Sequence, residues 1–369
     1  MKIKRIEALP VSLPIEPYSD LYGYYDHLDF VIVKIHTDEE FTGLGEASPI
    51  HVAFYGETQD SIVSVVEKCV QPLILGQDPL NIEKIESEID RFVAGNSCAK
   101  AAVDMALYDI VGKALGVPVY TMLGGLYRDK ATVGLELGFT KADEIPNKAN
   151  KLLEMGAKAI KIHVGKNPKE DVLAIRELHD AVGSNVAIRA DANGGYTTSQ
   201  AIQVMRKIQD CDLEYFEQPV SRWNAAGLKT VKQSVSIPIA VDEAVWTPRD
   251  AMNICKNEAA DVINIKITRV GGLNNARKIA AISSASFLRS HVGCEFEFGV
   301  GTAAKCHLCV SLENADCAAT GEFSEITMLR DNIVKDCVKI KNGLLEPLNK
   351  PGLGVDLDEK KMRLYARQS

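Results

Sequence analysis

AIKIHV (residues 159–164), VAIRADA (186–192), LEYFEQP (213–219), IPIAVDE (237–243) and VINIKI (262–267) are short apolar runs that recur roughly every 25 to 30 residues. Each reads as a buried strand with an ionisable residue at or near its C-terminal end: Lys161 and His163, Asp191, Glu217, Asp242 and Lys266. The interval accommodates one strand, one helix and two loops. Helical patterns fill the gaps, as in PKEDVLAIRELHDAVG with its terminal Gly183, and in the capping sequence Thr197-Thr198-Ser199-Gln200. Outward from this run, ATVGLELG (131–138) reads as a preceding strand, and the helix from Asp143 to Met155 is closed by Gly156. FLRSHVGCEFE (287–297) and CAATGEF (317–323) serve as strands seven and eight. Eight such units predict an α/β fold of the TIM type, a parallel barrel with its active site at the C-terminal strand ends. An open doubly wound sheet alternates in the same way, but no Gly-rich phosphate loop follows an early strand.

The first 125 residues have a different rhythm. IKRIEALPVSLP (3–14) and FVIVKIHTDEEFTGLGEASP (30–49) alternate like antiparallel strands turning at His36–Glu40, and two helical patterns follow, over about 58–71 and 99–116. Strands followed by helices make an α+β module, expected to cap the barrel. The expected division is therefore a capping domain over 1–125, the barrel over 126–340, and a Gly- and Pro-rich tail over 341–369 that returns to the cap. Two aromatic segments of the cap, Tyr22–His27 and Pro49–Gly56, have the composition of a lid, with Tyr22, Tyr25 and Tyr55 as candidate substrate contacts. Packing among themselves is the alternative for these rings.

Composition narrows the class. The 42 basic and 50 acidic residues give a formal charge of -8 with no long basic run, so nucleic acid is not an expected partner. No apolar run approaches a membrane span, and the N-terminus lacks the features of a signal peptide, so a cytoplasmic enzyme is expected. Nine cysteines, an odd number, scattered through a long chain point to reduced thiols. Cys306-His307-Leu308-Cys309 reads as one turn of a buried helix, because no second ligand pair stands nearby to complete a zinc site. Self-association into a homo-oligomer is compatible with a barrel of this size.

Asp191, Glu217 and Asp242 close three successive strands, so their carboxylates converge at distances suited to one hard divalent cation, and all-oxygen ligation favours Mg2+, with Mn2+ the alternative. Local pairing, such as Arg189 with Asp191, is the competing reading. Lys266 enters from the opposite side of the mouth; a lysine beside a dication and a second cation is expected to have a lowered pKa and to act as a base. Lys161 and His163 share one face of their strand.

In order and spacing, KIH at Lys161, DANGGY at Asp191, EQP at Glu217, DE at Asp242 and NIKITRVGGL at Asn264 resemble the enolase superfamily, in its muconate lactonizing (mandelate racemase/muconate lactonizing) subgroup. GEASP at Glu46 and the stretch from Ala101 to Gly125 extend the likeness to nearly the whole chain. The resemblance implies a magnesium enzyme that forms an enediolate by removing the α-proton of a small-molecule carboxylate. Lys161 would assist the carboxylate and Lys266 would be the base. A Lys-x-Lys pair is usual on strand two, and His163 replaces its second member. Nearby cations are expected to keep His163 neutral and basic. The implied reaction is that of an isomerase: a cycloisomerase, racemase or epimerase. A dehydratase of a hydroxy acid or hydroxylated amino acid is the alternative, and a metal- and ligand-binding protein with little turnover a third reading. Asn193 within DANGGY, Glu295 and Glu297 after strand seven, and Glu322 on strand eight are further candidate substrate residues. Gly321-Glu322-Phe323 lacks the Asp-x-Asp that dipeptide epimerases of the family carry, which argues against a dipeptide substrate.

Overall fold

The computed structural model describes residues 1–19, 23–50 and 52–367; Tyr22, one of the expected lid contacts, lies outside them. Strands β1 (Ile3–Ser19), β2 (Tyr24–Thr37) and β3 (Thr42–Ala47) form an antiparallel sheet in that order. β4 (Ala131–Glu136), β5 (Ala159–His163), β6 (Ala187–Asp191), β7 (Leu213–Glu217), β8 (Ile239–Val241), β9 (Val262–Ile265), β10 (Arg289–Val292) and β11 (Gly321–Glu322) are parallel neighbours, and pairing of β11 with β4 closes the barrel. A short β12 (Leu344–Leu345) lies antiparallel outside β4. The last two expected barrel strands shorten to four and two residues, because the chain after Val292 leaves the sheet to build a wall of the mouth.

Two features depart from the sequence reading. The Tyr24–His27 segment is strand rather than loop, with Tyr25 opposite Tyr18 in the β1–β2 ribbon. A helix over Ile82–Phe92 adds to the two expected; its Ile85 and Ile89 are buried at helical spacing. The expected helix near 58–71 forms with a wide turn over Val66–Val70 before it continues.

Cap and barrel share the helix Ser97–Leu115, whose apolar residues face both ways. On one side it lies so close to β3 that a Cβ on Gly43 or Gly45 would stand 2.0 or 1.7 Å from a helix carbonyl, so only glycine fits there. On the other side Asp104 accepts the Leu273 and Asn274 amides, capping the barrel helix Leu273–Ala285. From β3, Glu46 likewise accepts the amides of Phe298 and Gly301 at the start of the helix Gly299–Ser311, and Ser48 Oγ donates to the Glu295 carbonyl. These bonds fix the cap to the wall after β10. The tail comes back across the cap, with Ala366 bridging to Val11.

The helix Gly299–Ser311 is buried nearly throughout, including Cys306 and Cys309, whose thiols burial pushes upward in pKa. His307 on the same helix faces Tyr120 at 5.6 Å and sets Nε2 3.2 Å from the Leu353 carbonyl. Burial lowers its pKa from 6.5 to about 4. The unfolded chain takes up this proton near pH 6.5 and the folded one only near 4, so stability should fall as pH drops through that window. At pH 5 the loss attributable to His307 is about 2 kcal/mol relative to neutral pH. Denaturant unfolding at both pH values checks this: His307→Gln should flatten the slope, and an unchanged slope contradicts it.

Candidate active site

The strand ends bring the expected groups to one place. Lys161 and His163 lie on one face of β5, Asp191 ends β6, Glu217 ends β7, Asp242 follows β8 and Lys266 follows β9. β5 and β9 stand four strands apart in the closed barrel, so Lys266 enters opposite Lys161 and His163. Ligand oxygens of Asp191, Glu217 and Asp242 lie within 4.8 Å of one another, all buried. Glu217 Oε2 and both Asp242 carboxylate oxygens make no hydrogen bond. Among the described residues their only polar partners are the ion-pairing Lys161, Lys266 and Arg269, and three carboxylates converging at this spacing fit a hard cation. Cys294, Glu297 and Glu325 are equally close together, but the buried Lys305 ammonium sits 2.8 Å from both glutamates and fills that space. Arg189, the alternative partner for Asp191, turns to the other end of the barrel, donating to Glu214 at 2.8 Å and to the Ala319 carbonyl at 3.0 Å.

Lys161 is held among carboxylates: Glu322 at 2.9 Å, Asp191 at 3.5 Å, Glu217 at 3.6 Å and Glu136 at 3.7 Å. Burial disfavours its charge, yet these four groups together raise its pKa well above the usual lysine value. Lys266 Nζ lies 3.1 Å from Asp242 and 3.2 Å from Glu295. Burial and Arg269 oppose its charge, but Asp242 and Glu295 outweigh them and raise its pKa; the expected lowering depends on the charge of a dication, which would act against those two carboxylates. His163 has a similar balance, and its expected neutrality likewise depends on the charge of a dication nearby. Burial opposes its charge, but a bond to Glu136 (3.3 Å) and the charges of Glu136 and Asp191 lift it to about 9. Its other nitrogen, Nδ1, meets Asn193 Oδ1 at 2.9 Å.

The remaining candidates divide. Asn193 and Glu295 line the cavity with His163 and Lys266, and Asn193 Nδ2 also donates to Asp191 and Glu243. Glu322 lies beneath, bonded to Lys161 and 3.6 Å from His291. Glu297 turns away to Lys305. Tyr55 stacks edge-on against Phe54 and Trp246, its buried hydroxyl kept protonated by burial and by the nearby Glu295 charge. Tyr25 lines a separate recess beside β2.

Several participants were missed in the sequence. Glu136 ends β4, and an acidic residue closing the first barrel strand was a readable signal. Gln218, at φ 35°, uses its side-chain oxygen to accept the Asp242 and Ala244 amides and so sets the Asp242 turn. Arg269 is fully buried and pairs with Asp242; it lies beyond the strand, where periodicity says nothing. Glu243 and the rings of Tyr18, Phe54 and Phe296 complete the lining.

An eight-stranded parallel barrel under a β-sheet cap, with its ionisable groups gathered at the C-terminal strand ends, defines a capped-barrel enzyme. The chain belongs to the enolase superfamily, in its muconate lactonizing subgroup: residues 6–124 match the mandelate racemase / muconate lactonizing enzyme N-terminal domain and residues 144–361 the enolase C-terminal domain-like family. It is 35% identical to the L-Ala-D/L-Glu epimerase of Bacillus subtilis, over 96% of this chain and 97% of that one. The 2-chloromuconate cycloisomerase of Rhodococcus opacus 1CP superposes with a TM-score of 0.95 at 29% identity, over 100% of both chains. The dipeptide epimerase of Enterococcus faecalis V583, solved with Mg and L-Leu-L-Tyr, superposes with a TM-score of 0.91 at 31% identity, covering 96% of this chain and 100% of that one. These relatives are isomerases. Among the described residues no helix is long and apolar enough to cross a membrane.

Proposed function

We propose that the protein is a divalent-cation-dependent racemase or epimerase that moves a proton between the two faces of the α-carbon of a small carboxylate. The observation that carries this reading is that Lys266 and His163 line one cavity from opposite strands, on either side of three converging carboxylates. Asp191, Glu217 and Asp242 would hold Mg2+, which when bound would supply positive charge where the substrate carboxylate gains its second negative charge. Lys161 adds a fixed ammonium beside the same carboxylate. Lys266, in its neutral form, takes the proton from one face, and the C–H electron pair moves into the carboxylate. Asp242 and Glu295 stabilise the resulting ammonium. His163, held at Nδ1 by Asn193, returns the Nε2 proton to the other face, giving up its long bond to Glu136 as it does so. The electron pair then re-forms the C–H bond with inverted configuration.

The isomerase relatives favour return of the proton over departure of a β leaving group. On β11, Gly321 lies against Cys309 and Phe323, while Glu322 is engaged by Lys161, so this strand offers no acidic pair to a substrate amine. That supports a carboxylate other than a dipeptide with a free amine.

Deuterium wash-in from heavy water, followed on both enantiomers of a carboxylate panel with Mg2+, tests the proposal. His163→Ala should abolish racemisation yet leave exchange from the enantiomer whose proton faces Lys266. Loss of exchange from both enantiomers, or undiminished racemisation, would sink the two-base assignment.

A further inference from the structure

Tyr18 belongs to β1 of the cap, yet it lines the catalytic cavity of the barrel. The β1–β2 ladder is irregular just before it: Pro14 faces His27 and Tyr18 faces Tyr25, so three residues of β1 stand against one of β2. An excess of this kind bends a strand and re-aims its side chains. The ring is seated at the end of β4. Gly138, two residues past that strand at φ 63°, makes room for it, since a Cβ there would stand 2.9 Å from the Tyr18 ring. Phe296 meets it edge-on from the other side, with centroids 5.0 Å apart. So placed, the Tyr18 hydroxyl donates to Glu136 Oε1 at 3.2 Å. The second oxygen, Oε2, has two claimants: His163 Nε2 at 3.3 Å and Lys161 Nζ at 3.7 Å. A carboxylate free to turn would go to the ammonium and leave the imidazole. The bond from Tyr18 fixes Oε1 and thereby keeps Oε2 at His163.

We propose that Tyr18 is a positioning residue for the proton transfer at His163: it holds Glu136, and Glu136 holds the Nε2 proton of His163 in place between transfers. The inference rests on the proton-transfer reading for the role of His163. It gives the two proton-transfer groups different anchors. Lys266 is supported by Asp242 and Glu295 of the barrel chain, whereas the support of His163 depends on a hydroxyl that the cap supplies. One face of the α-carbon is therefore served by groups from both domains, and a change in the cap strand should alter that face alone.

The test reads each face by itself. In Tyr18→Phe, which keeps the ring between Gly138 and Phe296, heavy-water exchange from the enantiomer whose α-proton faces His163 should fall about tenfold, the scale of one hydrogen bond. Exchange from the enantiomer facing Lys266 should not change. Glu136→Gln should lower the same exchange, and adding Tyr18→Phe to it should lower it no further, because the hydroxyl acts through the carboxylate. Equal loss from both enantiomers, or losses that multiply in the double variant, overturns the assignment and makes Tyr18 a packing or substrate-contact residue. A readout free of turnover separates this inference from the reaction. In heteronuclear NMR spectra of the metal-free protein labelled at histidine, the His163 imidazole signal, identified by its absence from His163→Gln, should move in Tyr18→Phe while those of His291 and His307 stay. An unmoved His163 signal overturns the linkage. A moved signal in a protein that exchanges neither enantiomer overturns the proton-transfer reading and leaves the linkage standing.

Discussion

Replacing Lys266 by alanine should cut epimerisation by about a hundred- to ten-thousandfold, the range for removing a positioned acid or base, while Mg2+ binding persists. The stereochemistry is the sharper outcome. If Lys266 serves one face, the variant loses exchange from that enantiomer and keeps exchange from the other, which His163 still reaches; His163→Ala should give the mirror result. A side chain that merely supported the fold would lower both exchanges together. Measuring wash-in from each pure enantiomer with both variants settles the matter, and equal loss from both in Lys266→Ala contradicts the assignment. The contacts of Lys266 explain why neighbouring substitutions should be milder. Asp242 and Glu295 hold its charged form from two sides, and Arg269 pairs with Asp242 behind it. Glu295→Gln therefore removes one of two supports and leaves the amine in place.

Why some of this site is visible in the sequence and some is not follows from what strand periodicity encodes. A barrel strand places alternate residues inward and ends at the mouth, so Lys161, His163, Asp191 and Glu217 announce both their face and their depth. Asp242 and Lys266, one residue past their strands, inherit the same direction. Residues further beyond the strand ends lose that information. Glu295 and Glu297 sit two apart after β10, yet one lines the cavity and the other meets Lys305, because Phe296 between them takes a left-handed backbone at φ 51° and breaks the alternation. Arg269 and Gln218 act through turns that only the folded chain defines. Protonation was harder still. The expected neutral His163 and lowered Lys266 considered the cations nearby, a dication among them; Glu136 from β4, Asp242 after β8 and Glu295 from the loop after β10 pull both groups the other way, and only Asp242 among the three was legible.

Adding Mg2+ should raise the thermal stability of the protein, and Glu217→Gln should abolish that rise without lowering the stability of the metal-free form. Seven carboxylates, from Glu136, Asp191, Glu217, Asp242, Glu243, Glu295 and Glu322, face four cationic groups, Lys161, His163, Lys266 and Arg269. Fully ionised, the cluster holds an excess of three negative charges, which one dication would reduce to one. Without that compensation, burial and then the Asp191 charge push Glu217 well above the usual carboxylate range, and burial with Asp242 and Asp191 pushes Glu243 up to about 8. Ligand in hundredfold excess over its Kd stabilises by about 2.7 kcal/mol, an upward shift of a few degrees for a chain of this size. In Glu217→Gln the amide oxygen can still accept the bond that Asn264 Nδ2 gives to Oε1, and the change replaces a carboxyl that burial and Asp191 already push toward its neutral form. The ion pair with Lys161, which the substitution breaks, is long at 3.6 Å. Thermal unfolding with and without Mg2+, or with a chelator, separates the terms. A variant that unfolds well below the unaltered protein and still responds fully to Mg2+ would show that Glu217 is a structural carboxylate and that the cation lies elsewhere.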